Sequence, residues 1–404
     1  MRNNKWSMLT VGTVLMLIMG LIYAWSIFRA PLSEAFPAWS ATDLSLTFTL
    51  SMVFFCIGGF VGGRLVPHIK HRGVLLLAGI LLAIGFLGLS FYRPDNGPAS
   101  LIMLYVFYGV IGGFAIGLGY NCVMSAVTRA FPGRVGFASG VLLMGFGLGG
   151  MILGSVVNLL TGVWDLPAVF RFLGVLMFVV LVAGAFLMGT PTPVATGATP
   201  SAGSVEDKTT TQMLKTSAFW FFALWMIVIS SAGLLIINSA ATISLAFGGA
   251  AVLGLIVSVF NGLGRVIFGA LFDKVGRVVS MTISTGVMLL AGVVLIVGAL
   301  TGSLVLILVG LPLVGIAYGS APTITSATVT QFYGPTHYGS NFATINFAII
   351  PAAILGPLLA SRLQESSSGD YTTTFVMVAV LAVVAYGFFW AVTTAGKRLH
   401  PKAD

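Results

Sequence analysis

Residues 251–277 read AVLGLIVSVFNGLGRVIFGALFDKVGR. Its apolar part, 251–272, holds a single charge, Arg265, and is closed by Asp273, Lys274 and Arg277. A helix of about 20 such residues covers the roughly 30 Å of hydrocarbon in a bilayer, whereas a barrel strand is shorter and alternates. The stretch therefore reads as a transmembrane helix followed by a tight charged turn.

The same reading bounds runs at 8–28, 46–67, 74–92, 101–128, 135–160 and 169–189, then, beside 251–272, at 218–246, 278–300, 304–329, 339–361 and 373–395. The 404 residues are 58% apolar and only 7% charged, with a mean hydropathy of +1.06, which excludes a soluble enzyme and leaves almost no chain for an extramembrane domain. The first run lacks a small-residue cleavage site and reads as a retained helix. Cys56 and Cys122 fall inside apolar runs, so no disulfide framework is implied. The expected fold class is an all-α integral membrane protein of twelve transmembrane helices.

A net charge of +9 suggests nucleic acid in a soluble protein, but here the basic residues stand at helix ends, so no nucleic-acid partner is expected. In a twelve-span arrangement Arg2, Lys5, Arg64, Lys70, Arg72, Arg129, Arg134, Lys208, Lys215, Lys274, Arg277, Lys397, Arg398 and Lys402 share one side, against Arg29, Arg93, Arg171 and Arg362 on the other. By the positive-inside rule both termini are cytoplasmic in a multi-pass protein of the cell (plasma or inner) membrane. Thr190 opens a stretch rich in Thr, Pro, Gly, Ser and Ala, the composition of a linker. The expected organisation is a bundle at 1–190, a cytoplasmic linker at 191–215 and a second bundle at 216–404.

The halves repeat. Ser125-Ala126 and Phe131-Pro132-Gly133 are matched by Ser326-Ala327 and Phe332-Tyr333-Gly334 at one offset, and Gly58 and Gly63 by Gly264 and Gly269 at another. Two pseudo-symmetric six-helix bundles are the architecture of a rocker-type transporter with its site between the halves near the midplane. The four histidines are dispersed and no nucleophile lies beside a base, so neither an enzyme, a metal site nor a cofactor is expected, and the carrier is expected to be a monomer in the lipid bilayer.

Arg265 carries the functional reading. It lies eight residues before Asp273, about 12 Å deeper and close to the midplane. An arginine there costs at least about 2.5–3.5 kcal/mol and is a functional-site candidate by default. Every Asp and Glu falls near a helix end or in a loop, so a substrate carboxylate is the expected counter-ion, gripped by the planar guanidinium. The alternative is a structural arginine capping main-chain carbonyls. Depth arithmetic brings Tyr120, with Asn121 beside it, and Asn346 to the same level, and Asn261 shares a face with Arg265 at i, i+4. Tyr318 lies slightly deeper and Tyr23 towards the outer side; each tyrosine can also be a packing or interfacial aromatic.

The segment Gly269-x-x-x-Asp273-Lys274-x-Gly276-Arg277 resembles the cytoplasmic loop motif of the major facilitator superfamily. The resemblance implies a gate of Asp273, Lys274 and Arg277, with Arg134 opening the fifth run; a solvated cap in a tight loop is the alternative for Asp273. In the first half Pro67 stands where the acid belongs. Most of the chain resembles the oxalate/formate antiporter branch, close to the monocarboxylate transporters. The residues that carry this are Tyr23-Ala24-Trp25-Ser26, Gly119-Tyr120 through Arg129-Ala130-Phe131-Pro132, Arg134-x-Gly136-x-Ala138-Ser139-Gly140, and Asn261-Gly262-x-x-Arg265. The branch implies that Arg265 binds substrate carboxylate and that Tyr23, Tyr120 and Tyr318 line the pocket.

One departure narrows the substrate. Oxalate exchangers of this branch place a lysine on the eleventh helix, and an ungapped alignment puts Ile349 there. A second carboxylate facing Ile349 would be desolvated without compensation. The expectation is a carrier of small monocarboxylates, L-lactate or pyruvate, working by alternating access with protons as the coupling partner; an oxalate/formate-type exchanger is the alternative. The animal monocarboxylate transporters carry an Asp where Asn261 stands, so their proton-carrying pair is absent. If transport is proton-linked, the proton travels on the bound carboxylate itself, through Tyr or water, or by a group near a gate such as Asp43, Asp273 or His337, while His68 and His71 read as members of a cytoplasmic basic patch with Lys70 and Arg72.

Overall fold

A computed structural model of the protein describes residues 4–93, 97–189, 207–367 and 370–399. Arg2, Lys402 and the linker up to Glu206 lie outside the described residues. In chain order the helices are α1 (Lys5–Met19), α2 (Trp25–Ala35), α3 (Ala41–Leu89), α4 (Gly97–Met103), α5 (Gly113–Ala130), α6 (Val135–Thr161), α7 (Leu166–Leu187), α8 (Thr210–Leu214), α9 (Ser217–Ile237), α10 (Ala240–Ala246), α11 (Ile256–Thr301), α12 (Leu304–Tyr333), α13 (Tyr338–Asn346), α14 (Ile349–Ser366) and α15 (Thr372–Leu399). A 3₁₀ segment, Gly20–Ala24, joins α1 to α2, a π-helical segment, Leu104–Gly112, joins α4 to α5, and a second 3₁₀ segment, Ala251–Leu255, leads into α11.

Ten helical segments among the described residues are long and apolar enough to cross a membrane. Two of them, Thr42–Leu89 and Val252–Thr301, are 48 and 50 residues long, about 70 Å of helix and enough for two crossings each. Both break once, at Lys70 and at Gly276, so each counts twice and the described residues make up twelve crossings. The connectors at 68–73 and 273–277 lie outside the spans on either side of them.

Several apolar runs are not continuous helices. The first run, expected at 8–28, passes through the 3₁₀ segment and continues helical to Ala35. The seventh, expected at 218–246, breaks after Ile237, and the eleventh breaks between Asn346 and Ile349. Irregular backbone at membrane depth survives only where protein or water satisfies its polar groups, and such breaks are where transporters build sites. The Tyr23-Ala24-Trp25 part of the first-helix motif sits on one of them.

The two long helices break at repeat-related positions. Gly276 has φ 76° and ψ −177°, and Lys70, its repeat partner, has φ 59° and ψ 167°. That conformation is nearly exclusive to glycine and costs another residue about 1–3 kcal/mol. Lys70→Gly is therefore expected to stabilise the protein by about 1 kcal/mol, after the extra freedom of glycine in the unfolded chain offsets part of the relief. A thermal-unfolding midpoint in detergent that rises for Lys70→Gly and falls for Gly276→Lys is the check.

The helices form two compact units. One comprises Met1–Pro132, Gly145–Val194 and Tyr338–Thr344; the other comprises Gly133–Met144, Ala195–His337 and Ile345–Asp404. The entry of α6 thus belongs with the second-half helices, and most of α13 with the first-half helices. The core of the first unit gathers Phe28, Phe86, Tyr108 and Phe170. In the second unit Trp225 is fully buried and its indole N–H donates to Thr285 Oγ1 at 3.1 Å.

Candidate functional site

Within the second unit, α11 carries both Arg265 and Asn261. Arg265 is only 6% exposed. Its Nε donates to Asn261 Oδ1 at 3.4 Å, as their i, i+4 spacing requires, and its Nη1 donates to the main-chain carbonyl of Leu143 on α6. Both acceptors are neutral. A buried guanidinium with neutral acceptors carries an uncompensated charge, and the interior favours any anion that reaches it.

The other expected residues of this unit lie on α12 and α13. Tyr318 is half-buried with its ring against Gly233 of α9. Asn346 is buried and is the last residue of α13, immediately before the break in the eleventh span. Ile349, where the branch has lysine, is the first residue after that break.

In the first unit the two expected tyrosines converge on one phenylalanine. The Tyr120 ring lies 4.9 Å from Phe146, 5.0 Å from Phe55 and 6.1 Å from Phe342, and the Tyr23 ring meets Phe146 edge-on at 5.3 Å. Tyr120 is buried, whereas Tyr23 is 38% exposed. Asn121 is also buried, and its side-chain Nδ2 donates to the carbonyls of Gly59 and Gly339, each at 2.7 Å. Its amide protons hold two backbones together. A depression of about 570 Å³ at the α6–α7 turn, lined by Trp164, Asp165, Arg171 and Phe172 among others, includes none of the expected site residues.

Three of the expected gate residues, Asp273, Lys274 and Arg277, lie at the connector after Phe272. The Asp273 carboxylate accepts the N–H groups of Gly136 at 2.8 Å and Phe137 at 2.7 Å, the first turn of α6. A helix N-terminus is partly positive, so a carboxylate there caps unpaired donors and meets the dipole favourably. Half-burial pushes the Asp273 carboxyl above its usual range, while the two N–H groups and the nearby Arg134 pull it back. Contact is this close because Gly136 and Gly269 face each other: a Cβ on either would overlap the other's carbonyl oxygen. Arg277 is buried with its guanidinium 4.6 Å from the Phe332 ring centre, and Lys274 is exposed. The acid is legible in the sequence but its partner is not, since main-chain amides carry no residue signature.

His71 is not part of a solvated basic patch. Its ring packs on α5, where Nε2 lies 3.3 Å from Ser125 Oγ, and its carbonyl accepts from Cys122 Sγ at 3.3 Å. Burial, helped by the Arg129 charge, pushes its pKa down to about 4. The folded protein therefore requires the neutral ring, and the stability this gives is full above pH about 6.5 and is lost as pH falls towards 4. Thermal midpoints across that window are expected to fall for the wild type and to flatten for His71→Gln.

Comparison with known proteins adds an independent line. The profile of the Major Facilitator Superfamily matches residues 6–357. The oxalate:formate antiporter of Oxalobacter formigenes is 26% identical over 391 residues, covering 95% of this chain and 90% of that protein. Monocarboxylate transporter 12 of Rattus norvegicus is 27% identical over 155 residues, covering 38% of this chain and 31% of that protein. Among solved structures, the proton:xylose symporter XylE bound to 6-bromo-6-deoxy-D-glucose superposes with a TM-score of 0.73 at 16% identity, covering 99% of both chains.

Proposed function

The chain belongs to the Major Facilitator Superfamily, and from that premise we propose that it carries small monocarboxylates, L-lactate or pyruvate, across the membrane by alternating access. It is a membrane-spanning transporter and not an enzyme. The observation that carries the substrate class is Arg265, a buried cation whose own acceptors are both neutral. A carboxylate offers two acceptor oxygens to the guanidinium fork, a stronger pairing than the Leu143 carbonyl. In the empty carrier Arg265 rests on that carbonyl; the arriving anion takes the fork and cancels the charge. Asn261 is proposed to serve a 2-hydroxyl or 2-keto group, and Tyr23, Tyr120, Tyr318, Asn121 and Asn346 are the further residues proposed for substrate binding.

Asp273, Arg134, Lys274 and Arg277 are assigned to the gate. In this reading the Asp273 cap on α6 belongs to the cytoplasm-closed state and is released when that side opens. The two bundles, 1–190 and 216–404, are the rocking bodies, the linker joins them on the cytoplasmic side, and the carrier acts as a monomer with both termini in the cytoplasm. Protons are the proposed coupling partner. Exchange is the second reading, favoured by the similarity to the oxalate:formate antiporter along nearly the whole chain.

Uptake of radiolabelled L-lactate into proteoliposomes separates the two. Accumulation driven by an inward proton gradient and competed by pyruvate is the expected result. Uptake that needs preloaded anion and is competed by oxalate would replace symport with exchange.

A further inference from the structure

The entries of α6 and α13 are seated alike but latched differently. Gly269 abuts Gly136 at one, and Gly63 abuts the backbone of Gly339 and Ser340 at the other. Positions 63 and 269 are repeat partners, and so are 67 and 273. At 273 an aspartate caps the helix entry, whereas at 67 proline offers no acceptor side chain.

A carboxylate does reach the turn that leads into α13, from the linker. Asp207 Oδ1 accepts the Thr336 N–H at 3.0 Å, and Oδ2 accepts the Thr336 hydroxyl at 2.6 Å. The turn is shaped for it: Gly334 has φ 75°, and a Cβ there would overlap the Asp207 carboxylate. Its repeat partner Gly133 has no atom within 4 Å of the equivalent Cβ position. The neighbouring linker residues are stitched to the same place. Lys208 N–H donates to the Tyr333 carbonyl at 3.0 Å, the Thr216 and Tyr333 hydroxyls lie 3.1 Å apart, and Thr209 with Gln212 forms a capping box that starts α8.

We propose that Asp207 is a gating residue, the linker's substitute for the latch acid absent at position 67. The described end of the linker, 207–215, is then a strap whose release accompanies cytoplasmic opening, as release of Asp273 does at α6. This rests on the reading of the protein as an alternating-access carrier but not on its substrate.

Hydrogen–deuterium exchange of the full-length protein in lipid nanodiscs, without substrate, tests it. Asp207→Asn keeps the shape and removes the charge at an exposed position. Exchange at 332–337 is expected to rise about tenfold. Exchange at 136–137 is expected to rise severalfold as well, although those amides bond to Asp273. Adding Pro67→Asp is expected to return 136–137 to the wild-type rate while 332–337 stays fast. Acceleration confined to 332–337 would make Asp207 a local tether and overturn the proposal, as would a failure of Pro67→Asp to restore 136–137. Because no substrate enters the readout, a wrong substrate assignment cannot produce either result.

Discussion

Arg265→Ala is expected to abolish monocarboxylate uptake while leaving the protein folded. Removing one partner of a buried, hydrogen-bonded charge pair costs about 3–5 kcal/mol, which is a loss on the order of 10²–10⁴ in uptake efficiency. The fold should persist because the variant deletes a buried charge rather than stranding one, and its neighbours Asn261 and Leu143 are neutral. Two further substitutions separate a binding arginine from a structural one. Arg265→Gln keeps an N–H for the Leu143 carbonyl but has no charge, so retained uptake in that variant would mean that the guanidinium only caps a backbone. Arg265→Lys keeps the charge without the planar fork, and is expected to fall between, about 10–100-fold below wild type.

The second large effect is steric. Gly269→Val places a branched side chain where even a Cβ would overlap the Gly136 carbonyl. The start of α6 must move, and movement breaks the two Asp273 bonds at 2.8 and 2.7 Å. Overpacking costs about 1–3 kcal/mol and each lost bond to a charged group about 1.5–3 kcal/mol. A shift of that size takes a mostly closed latch to a mostly open one. Uptake should fall at least about 100-fold, with a lower unfolding midpoint and fast exchange at 136–137. Asp273→Asn, which removes the charge without the clash, should be the milder of the two. Equal activity for Gly269→Val and wild type would remove the α6 contact from the gate.

The parts of the fold set by composition and periodicity were legible without coordinates. Hydropathy marked twelve crossings, and the charged connectors at 68–73 and 273–277 marked where the two long helices break. The helix breaks were not legible, because an apolar run looks the same whether its carbonyls bond to residue i+3, i+4 or i+5. Gly20–Ala24, Leu104–Gly112 and the break after Asn346 all hide inside apolar sequence for that reason. At the site, Arg265 and Asn261 were paired by spacing alone, since both sit on one helix. Leu143 was invisible because it acts through its carbonyl, and Gly136 and Phe137 because they act through their amides. Asn121 was legible as a buried polar residue, but its bridge between Gly59 and Gly339 depends on two distant backbones meeting. His71 misled for a related reason: its neighbours in sequence are basic and exposed, while its neighbours in space are Ser125 and Cys122.

In the proposed site one buried cation receives one carboxylate. Equilibrium binding of L-lactate and of oxalate to the purified carrier, in the wild type and in Ile349→Lys, is the measurement that decides it. The wild type is expected to prefer lactate, and the added lysine to shift the preference towards oxalate by compensating its second charge. A wild type that binds oxalate more tightly than lactate would contradict it.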